Sequence, residues 1–162
     1  GLGNARYLQQ KMLDSLRQLE SRGGALCYLL IGLDEVQHLR EQHGDEFYHE
    51  LLRSVARRLQ QHVRPLDVLT RLDDHHFGLL TLLSDLQECS PTSFRRLHEG
   101  LNLKAFKTSE GFISLKAGIS LVGMDAQSLP VTPETLFERA SALLPEACSS
   151  GRINAVRLPK AQ

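Results

Sequence analysis

Four adjacent residues hold the densest chemistry in the sequence: Asp73-Asp74-His75-His76, preceded by Arg71 and followed by Phe77. Carboxylates and imidazoles together are ligands for zinc and related ions. Side chains in an extended strand alternate between faces. The run therefore predicts that only Asp73 with His75, or Asp74 with His76, shares a face. Two ligands are too few for a metal centre, so the expectation is a polar hairpin tip with no metal and no other cofactor. A second arrangement is Arg64-Pro65-Leu66-Asp67. An arginine makes bidentate contacts to planar acceptor edges and anions, and a carboxylate accepts from N–H groups. Arg95 and Arg96 offer further cationic contacts. The same residues have a plain structural reading, in which Arg64 pairs with the C-terminal end of a preceding helix and Asp67 turns the chain. His38, His43, His62 and His98 fall at no ligand spacing, and no Ser/His/Asp or Cys/His arrangement stands out.

These groups need elements to hold them. Asn4 is placed to cap a first helix, with Leu8, Met12, Leu16 and Leu19 at helical spacing and Gly23-Gly24 as its stop. Residues 25–33 are a continuous apolar run, which reads as a buried strand. A short helix is expected from Asp34 to His43, stopped by Gly44. Phe47, Leu51, Val55 and Leu59 mark the apolar face of the next helix, which Pro65 ends near Val63. Residues 68–72 and 77–83 read as two strands, with Asp73-Asp74 turning between them. Ser90-Pro91 opens a helix carrying Phe94, Leu97 and Leu101. Residues 103–106 and 112–122 are strand candidates. Pro133 starts a last helix with Leu136, Ala140, Leu143 and Leu144 inward, and residues 153–158 close as a strand. Helices interleaved with strands in this order give an α+β fold, a mostly antiparallel central sheet flanked by helices, in the ferredoxin-like or polymerase-palm arrangement.

Composition narrows the function classes. The chain has 162 residues, 41% hydrophobic and 23% charged, which is one domain over 1–162 with a real core. Nineteen basic and nineteen acidic residues cancel, which argues against a nucleic-acid partner or an anionic membrane. No apolar run approaches the ~18–20 residues of a membrane span, and no signal-peptide pattern opens the chain. Cys27, Cys89 and Cys148 show no paired spacing and read as reduced thiols of a cytoplasmic protein, Cys27 in the core. The opening Gly1-Leu2-Gly3-Asn4 reads as the start of a domain cut from a longer protein.

The element order, with particular residues in particular slots, resembles the GGDEF domain of bacterial diguanylate cyclases, which join two GTP molecules into cyclic di-GMP. The resemblance runs over nearly the whole chain. Gly1 to Arg6 is similar to the end of the leading L-T-G-L-x-N-R-R. Ile31-Gly32-Leu33-Asp34-Glu35-Val36 stands in the slot of I-D-x-D-x-F, and Gly44 to His49 in that of G-H-x-x-G-D. Arg71-Leu72-Asp73-Asp74-His75-His76-Phe77 stands in the signature hairpin, R-[YFG]-G-G-[DE]-E-F. Lys116-Ala117-Gly118 stands where the family has Ser-Ile-Gly. The string Gly44-Asp45-Glu46-Phe47 spells part of the family name but lies at a helix start, where Gly44 reads as a helix stop, Asp45 as an N-cap and Phe47 as an apolar anchor.

The resemblance also shows what is missing. The family's cyclases hold Mg²⁺ through carboxylates at the end of the first strand and in the hairpin, because Mg²⁺ prefers oxygen ligands and bridges phosphates. Here these slots are Gly32 and His75-His76, and imidazole is a poor Mg²⁺ ligand. The guanine-reading Asn and Asp slots are Arg40 and His49, and the lysine slot is Gln37. The paired glycines that admit the triphosphate are Asp73 and Asp74, whose charges repel phosphate. The expectation is a catalytically inactive, degenerate GGDEF domain with a regulatory or scaffolding role in bacterial cyclic di-GMP signalling. Ile31–Asp34 with Arg71–Phe77 is similar to FimX-type GGDEF–EAL dual-domain proteins of type IV pilus control. That implies a neighbouring domain of the same chain, an EAL domain, or a second copy, as partner. Arg64-x-x-Asp67 keeps the register of the family's product-inhibition site, so the alternative is a cyclic di-GMP receptor through Arg64, Asp67, Arg95 and Arg96. An active cyclase is the least favoured reading.

Overall fold

The computed structural model describes residues 4–162, so the likeness of Gly1-Leu2-Gly3 to the family's leading segment lies outside the described residues. Helix α1 (Ala5–Arg22) starts where Asn4 Oδ1 accepts the Tyr7 N–H at 3.0 Å, and it buries Leu8, Met12, Leu16 and Leu19. Strand β1 (Ala25–Asp34) is buried over its first nine residues, as its continuous apolar run requires. Helix α2 (Gln37–His43) starts three residues later than expected. The reason lies in the backbone: Asp34 still belongs to β1, and Glu35 turns the chain at φ 53°, a left-handed value that helices exclude. Gly44 ends α2 and opens α3 (Asp45–Gln60) directly, at φ 93°. Asp45 is thus the first helical residue rather than the N-cap, and its side chain is spent elsewhere.

Strands β2 (Val68–Arg71) and β3 (His76–Leu83) form the hairpin. A 3-10 turn (Pro91–Phe94) leads into α4 (Arg95–Asn102). The next two strand expectations need correction. Residues 103–105 are not a strand, and Leu103 is 75% exposed. The expected strand over 112–122 is broken at Ser114-Leu115 into β5 (Gly111–Ile113), which pairs with β4 (Phe106–Thr108) in a small ribbon, and the long β6 (Lys116–Asp125). Arg58 fixes the ribbon by stacking on Phe106 and donating to the carbonyls of Gly100, Lys104 and Ala105. Helix α5 (Pro133–Ser150) and strand β7 (Ile153–Arg157) complete the chain, with Leu144 buried and Leu143 half-buried.

The main sheet runs β2-β3-β1-β6-β7, antiparallel except for the β6–β7 pair. Odd-numbered β1 residues (Cys27, Leu29, Ile31, Leu33) pack with Phe47, Leu51, Val55 and Leu59 of α3 and Leu97 and Leu101 of α4. Even-numbered residues (Leu26, Tyr28, Leu30) pack with α1 and α5 through Leu8, Met12, Leu136, Ala140 and Leu144. The result is the expected α+β architecture, with a mostly antiparallel sheet between two helical layers. No helix among the described residues is long and apolar enough to cross a membrane.

Candidate functional site

The end of β1, the start of α2, Tyr48 of α3 and the β2–β3 turn surround an open cavity of about 600 Å³. Its wall includes Asp34, Glu35, Gln37, Arg40, Asp73, Asp74 and His75, so the fold brings three of the expected signature residues and Arg40 to one place. His76 does not line this cavity; with Asp73, Leu144 and Pro145 it lines a neighbouring cleft beside α5. His49, one turn along α3, does not line the cavity, although its charge bears on Asp45 and Asp74. Phe77 is fully buried in the core below.

Arg40 organises the cavity rim. Its guanidinium donates to Asp45 and to Asp74, each at 2.7 Å. Arg71 reaches the same Asp74 carboxylate at 3.3 Å. The hydrogen bonds from Arg40 are the largest cause holding Asp45 and Asp74 below the usual carboxylate range, and the same bonds push the Arg40 guanidinium further up. Tyr48 donates its hydroxyl to the Asp74 carbonyl at 2.7 Å and stands beside the Arg40 guanidinium, 5.2 Å from its ring centre. Burial raises the Tyr48 phenol, which keeps it a donor. Asp45, Tyr48 and Arg71 were not singled out from sequence as site residues. The available signal was a bulky aromatic four residues after the Gly44 turn, within the stretch matching G-H-x-x-G-D.

At Gly32, the first-strand carboxylate slot, the space is filled. A Cβ built there would stand 2.8 Å from Cys148 Sγ and 3.1 Å from Leu144 Cδ2. Gly32 pairs across the sheet with Gly118, where a Cβ would meet α5 backbone at 2.2–2.5 Å. The two glycines form a notch into which α5 sinks, and the Cys148 thiol donates to the Gly32 carbonyl at 3.6 Å. Burial raises the Cys148 thiol, so it stays protonated in that contact. Lys116 Nζ lies 3.7 Å from Asp34, neutralising the carboxylate that remains on β1. These groups do not fit a Mg²⁺-triphosphate: one carboxylate is replaced by packed side chains, another is ion-paired, and the hairpin supplies imidazole.

The hairpin tip corrects the alternation expectation. Residues 72–75 are a turn, so the strand rule does not govern them, and Asp73, His75 and His76 converge instead. The Asp73 carboxylate accepts the His75 backbone N–H at 2.9 Å and lies 2.7 and 2.8 Å from His76 Nδ1. Partial burial works to raise Asp73, but the bonds from His75 N–H and the His76 ring outweigh it and its carboxyl sits low.

A second cavity, about 450 Å³, lies on the other flank of β3 and is lined by Arg64, Asp67, Thr81, Ser93 and Arg96, among others. Arg95 is not on its wall; it faces away and pairs with Glu99 at 3.6 Å. Arg64 does not cap the preceding helix as the structural reading had it. Its guanidinium donates to Thr81 Oγ1 and to the Leu82 carbonyl, both on β3. Asp67 does turn the chain, accepting the Arg64 N–H at 2.9 Å.

Comparison with known proteins fits this geometry. The chain is 31% identical over 160 residues to the response regulator PleD of Caulobacter vibrioides, covering 96% of this chain and 34% of PleD. It is 24% identical over 155 residues to the cyclic di-GMP phosphodiesterase NbdA of Pseudomonas aeruginosa, covering 96% of this chain and 19% of NbdA. The chain therefore spans about a third or less of the curated relatives it matches here. The crystal structure of the FimX GGDEF domain from Pseudomonas aeruginosa superposes with a TM-score of 0.83 at 18% identity, over 97% of this chain and 94% of that one. The family model for the diguanylate cyclase GGDEF domain matches residues 1–154, from the segment before α1 into β7, and by that match the chain belongs to the GGDEF family.

Proposed function

We propose that this GGDEF domain makes no cyclic di-GMP and serves bacterial cyclic di-GMP signalling as a regulatory or scaffolding module. The observation that carries the reading is the filled position at Gly32, where Cys148 and Leu144 occupy the room a metal-binding carboxylate needs. The Arg40–Asp45–Asp74 network supports it, because a guanine arriving there would have to displace two charged hydrogen bonds of 2.7 Å. NbdA, a relative named for phosphodiesterase activity, shows that similarity to this domain extends to proteins named for degrading the dinucleotide. The module's partner in this reading is a neighbouring domain, an EAL domain as in FimX-type proteins of pilus control, or a second copy of the chain. In the test, purified domain is incubated with GTP and Mg²⁺ or Mn²⁺, and GTP binding is followed by calorimetry. The expected result is no product above a no-protein control and weak or undetectable GTP binding. Clear turnover or micromolar GTP affinity would overturn the reading. Deleting residues 1–162 from the full-length protein should change assembly or signalling output, and an unchanged output would remove the scaffold role.

The second reading, a cyclic di-GMP receptor, has one observation in its favour: Arg64, Asp67 and Arg96 share a cavity of about 450 Å³. Arg64 is already engaged with Thr81 and Leu82, so binding requires it to leave those acceptors or use its free edge. Calorimetry with cyclic di-GMP on the parent domain and on Arg64→Ala separates the two cases. Equal affinities would sink the receptor reading.

A further inference from the structure

We propose that the hairpin tip binds one divalent transition-metal ion of the zinc class through Asp73, His75 and His76. The donor atoms of these three side chains all lie within 4.8 Å of one another. His75 Nδ1 is 3.6 Å from Asp73 Oδ1, and His76 Nδ1 is 2.7 Å from the same oxygen. Ligands on a tetrahedral ion with bonds of about 2.0–2.1 Å lie roughly 3.3–3.5 Å apart. The three atoms therefore need side-chain rotations of about an ångström and no new backbone path. His76 Nδ1 faces the Asp73 carboxylate at 2.7 Å. The ion takes the place between them, and an Nδ1 proton there moves to Nε2 of the same ring or to solvent.

The surroundings favour this set. Asp74 is held off by Arg40 and Arg71, which leaves Asp73 as the carboxylate that faces the imidazoles. The turn is fixed by the His75 N–H on Asp73, by the Leu72 N–H on the His76 carbonyl at 2.9 Å, and by Tyr48 on the Asp74 carbonyl. The two imidazoles already lie against each other, with ring centres 4.1 Å apart and planes tilted by 45°. Asp73 and His75 are about half exposed and His76 about a quarter, so an ion enters from solvent without opening the fold. Two nitrogens and one oxygen select zinc, nickel, cobalt or copper over magnesium, and three protein ligands leave a position for water. This site lies wholly on the hairpin and needs no carboxylate from β1, so it does not depend on whether the domain is a scaffold.

The test titrates tag-free protein with Zn²⁺ by calorimetry and with Co²⁺ by visible absorption. One ion per chain is expected, with a cobalt ligand-field band and shifted ring-nitrogen signals for His75 and His76. Removing an outer-shell partner of a metal commonly weakens binding about 10–100-fold. His75→Ala, His76→Ala and the near-isosteric Asp73→Asn should each weaken it at least about tenfold, while His38→Ala on the exposed face of α2 leaves it unchanged. Far-UV spectra of the variants exclude unfolding as the cause. The proposal is overturned if the parent binds no more Zn²⁺ than His76→Ala, if the ion's signals fall on other histidines, or if Mg²⁺ competes at equal concentration.

Discussion

Returning aspartate to position 32 should destabilise the domain and restore no activity. The magnitude follows from the contacts of a Cβ there, 2.8 Å to Cys148 Sγ and 3.1 Å to Leu144 Cδ2. Comfortable carbon contacts begin near about 3.5–4.0 Å, so α5 side chains must withdraw by up to about 1 Å. Overfilling a packed interior costs about 1–3 kcal/mol, and the backbone entropy saved by leaving glycine offsets about 0.5–1 kcal/mol. Gly32→Ala should therefore lose about 0.5–2 kcal/mol. Gly32→Asp adds a buried acceptor without donors, a further 1–3 kcal/mol or so. At roughly 2–4 °C per kcal/mol for a domain of this size, the aspartate variant should melt about 3–20 °C lower. Urea denaturation followed by far-UV circular dichroism reads the loss. Pairing each variant with Cys148→Ala should recover at least about 0.5 kcal/mol of it, since contacting residues couple. A Gly32→Asp protein as stable as its parent, or with no coupling to Cys148→Ala, would refute the argument that α5 fills the slot.

Three further outcomes are expected. Asn102 donates to the His98 and Ala117 carbonyls and accepts the Ala117 N–H at 2.9 Å, so Asn102→Ala should cost about 1–3 kcal/mol in the same denaturation assay by stranding buried backbone groups. Arg64→Ala removes two donations to β3 from a guanidinium that is 56% exposed and should lower stability by only about 1 kcal/mol, measured by thermal melting. Asp45 and Asp74 both titrate below the ordinary 3.8 because Arg40 bonds them. Their stabilisation is therefore complete above pH 3.8 and is lost as pH falls through their lowered folded values; Arg40→Gln should raise both in a carboxyl NMR titration and make the acid limb shallower.

Periodicity and apolar runs made the main elements legible. Leu8, Met12, Leu16 and Leu19, and Phe47, Leu51, Val55 and Leu59, fell on the faces their spacing predicted. What failed was local backbone geometry that has no apolar signature. Glu35 adopts a left-handed turn that sequence gives no reason to assign to glutamate. The break at Ser114-Leu115 has no glycine or proline to announce it, and the ribbon it creates depends on Arg58, which lies about fifty residues away in sequence. The site was legible as a set of positions: Arg40, Asp73, Asp74 and His75 do meet around one cavity. Its internal wiring was not, because Arg40 to Asp74 and Tyr48 to Asp74 are bonds between elements whose relative placement only the fold supplies. Arg95 missed its cavity for a helical reason: adjacent residues point about 100° apart, and Arg96 took the inward direction.

The pairing of β1 has a consequence for how the chain assembles. Leu29 pairs with Leu79 on one side and Leu121 on the other, so the middle strand recruits both neighbours from far along the chain. Pairings of such separation are slow, because closing the loop is unfavourable before any contact rewards it. The β2–β3 hairpin, closed by a four-residue turn, is the local piece able to form early. Until β6 arrives, one edge of an almost wholly apolar ten-residue strand stays open, the kind of edge that pairs with other chains. During synthesis that interval lasts until residue 125 has cleared the ribosome, and the two-glycine notch waits longer still, for α5. Aggregation of this domain should therefore depend on translation and chaperone supply more than on the stability of the finished fold.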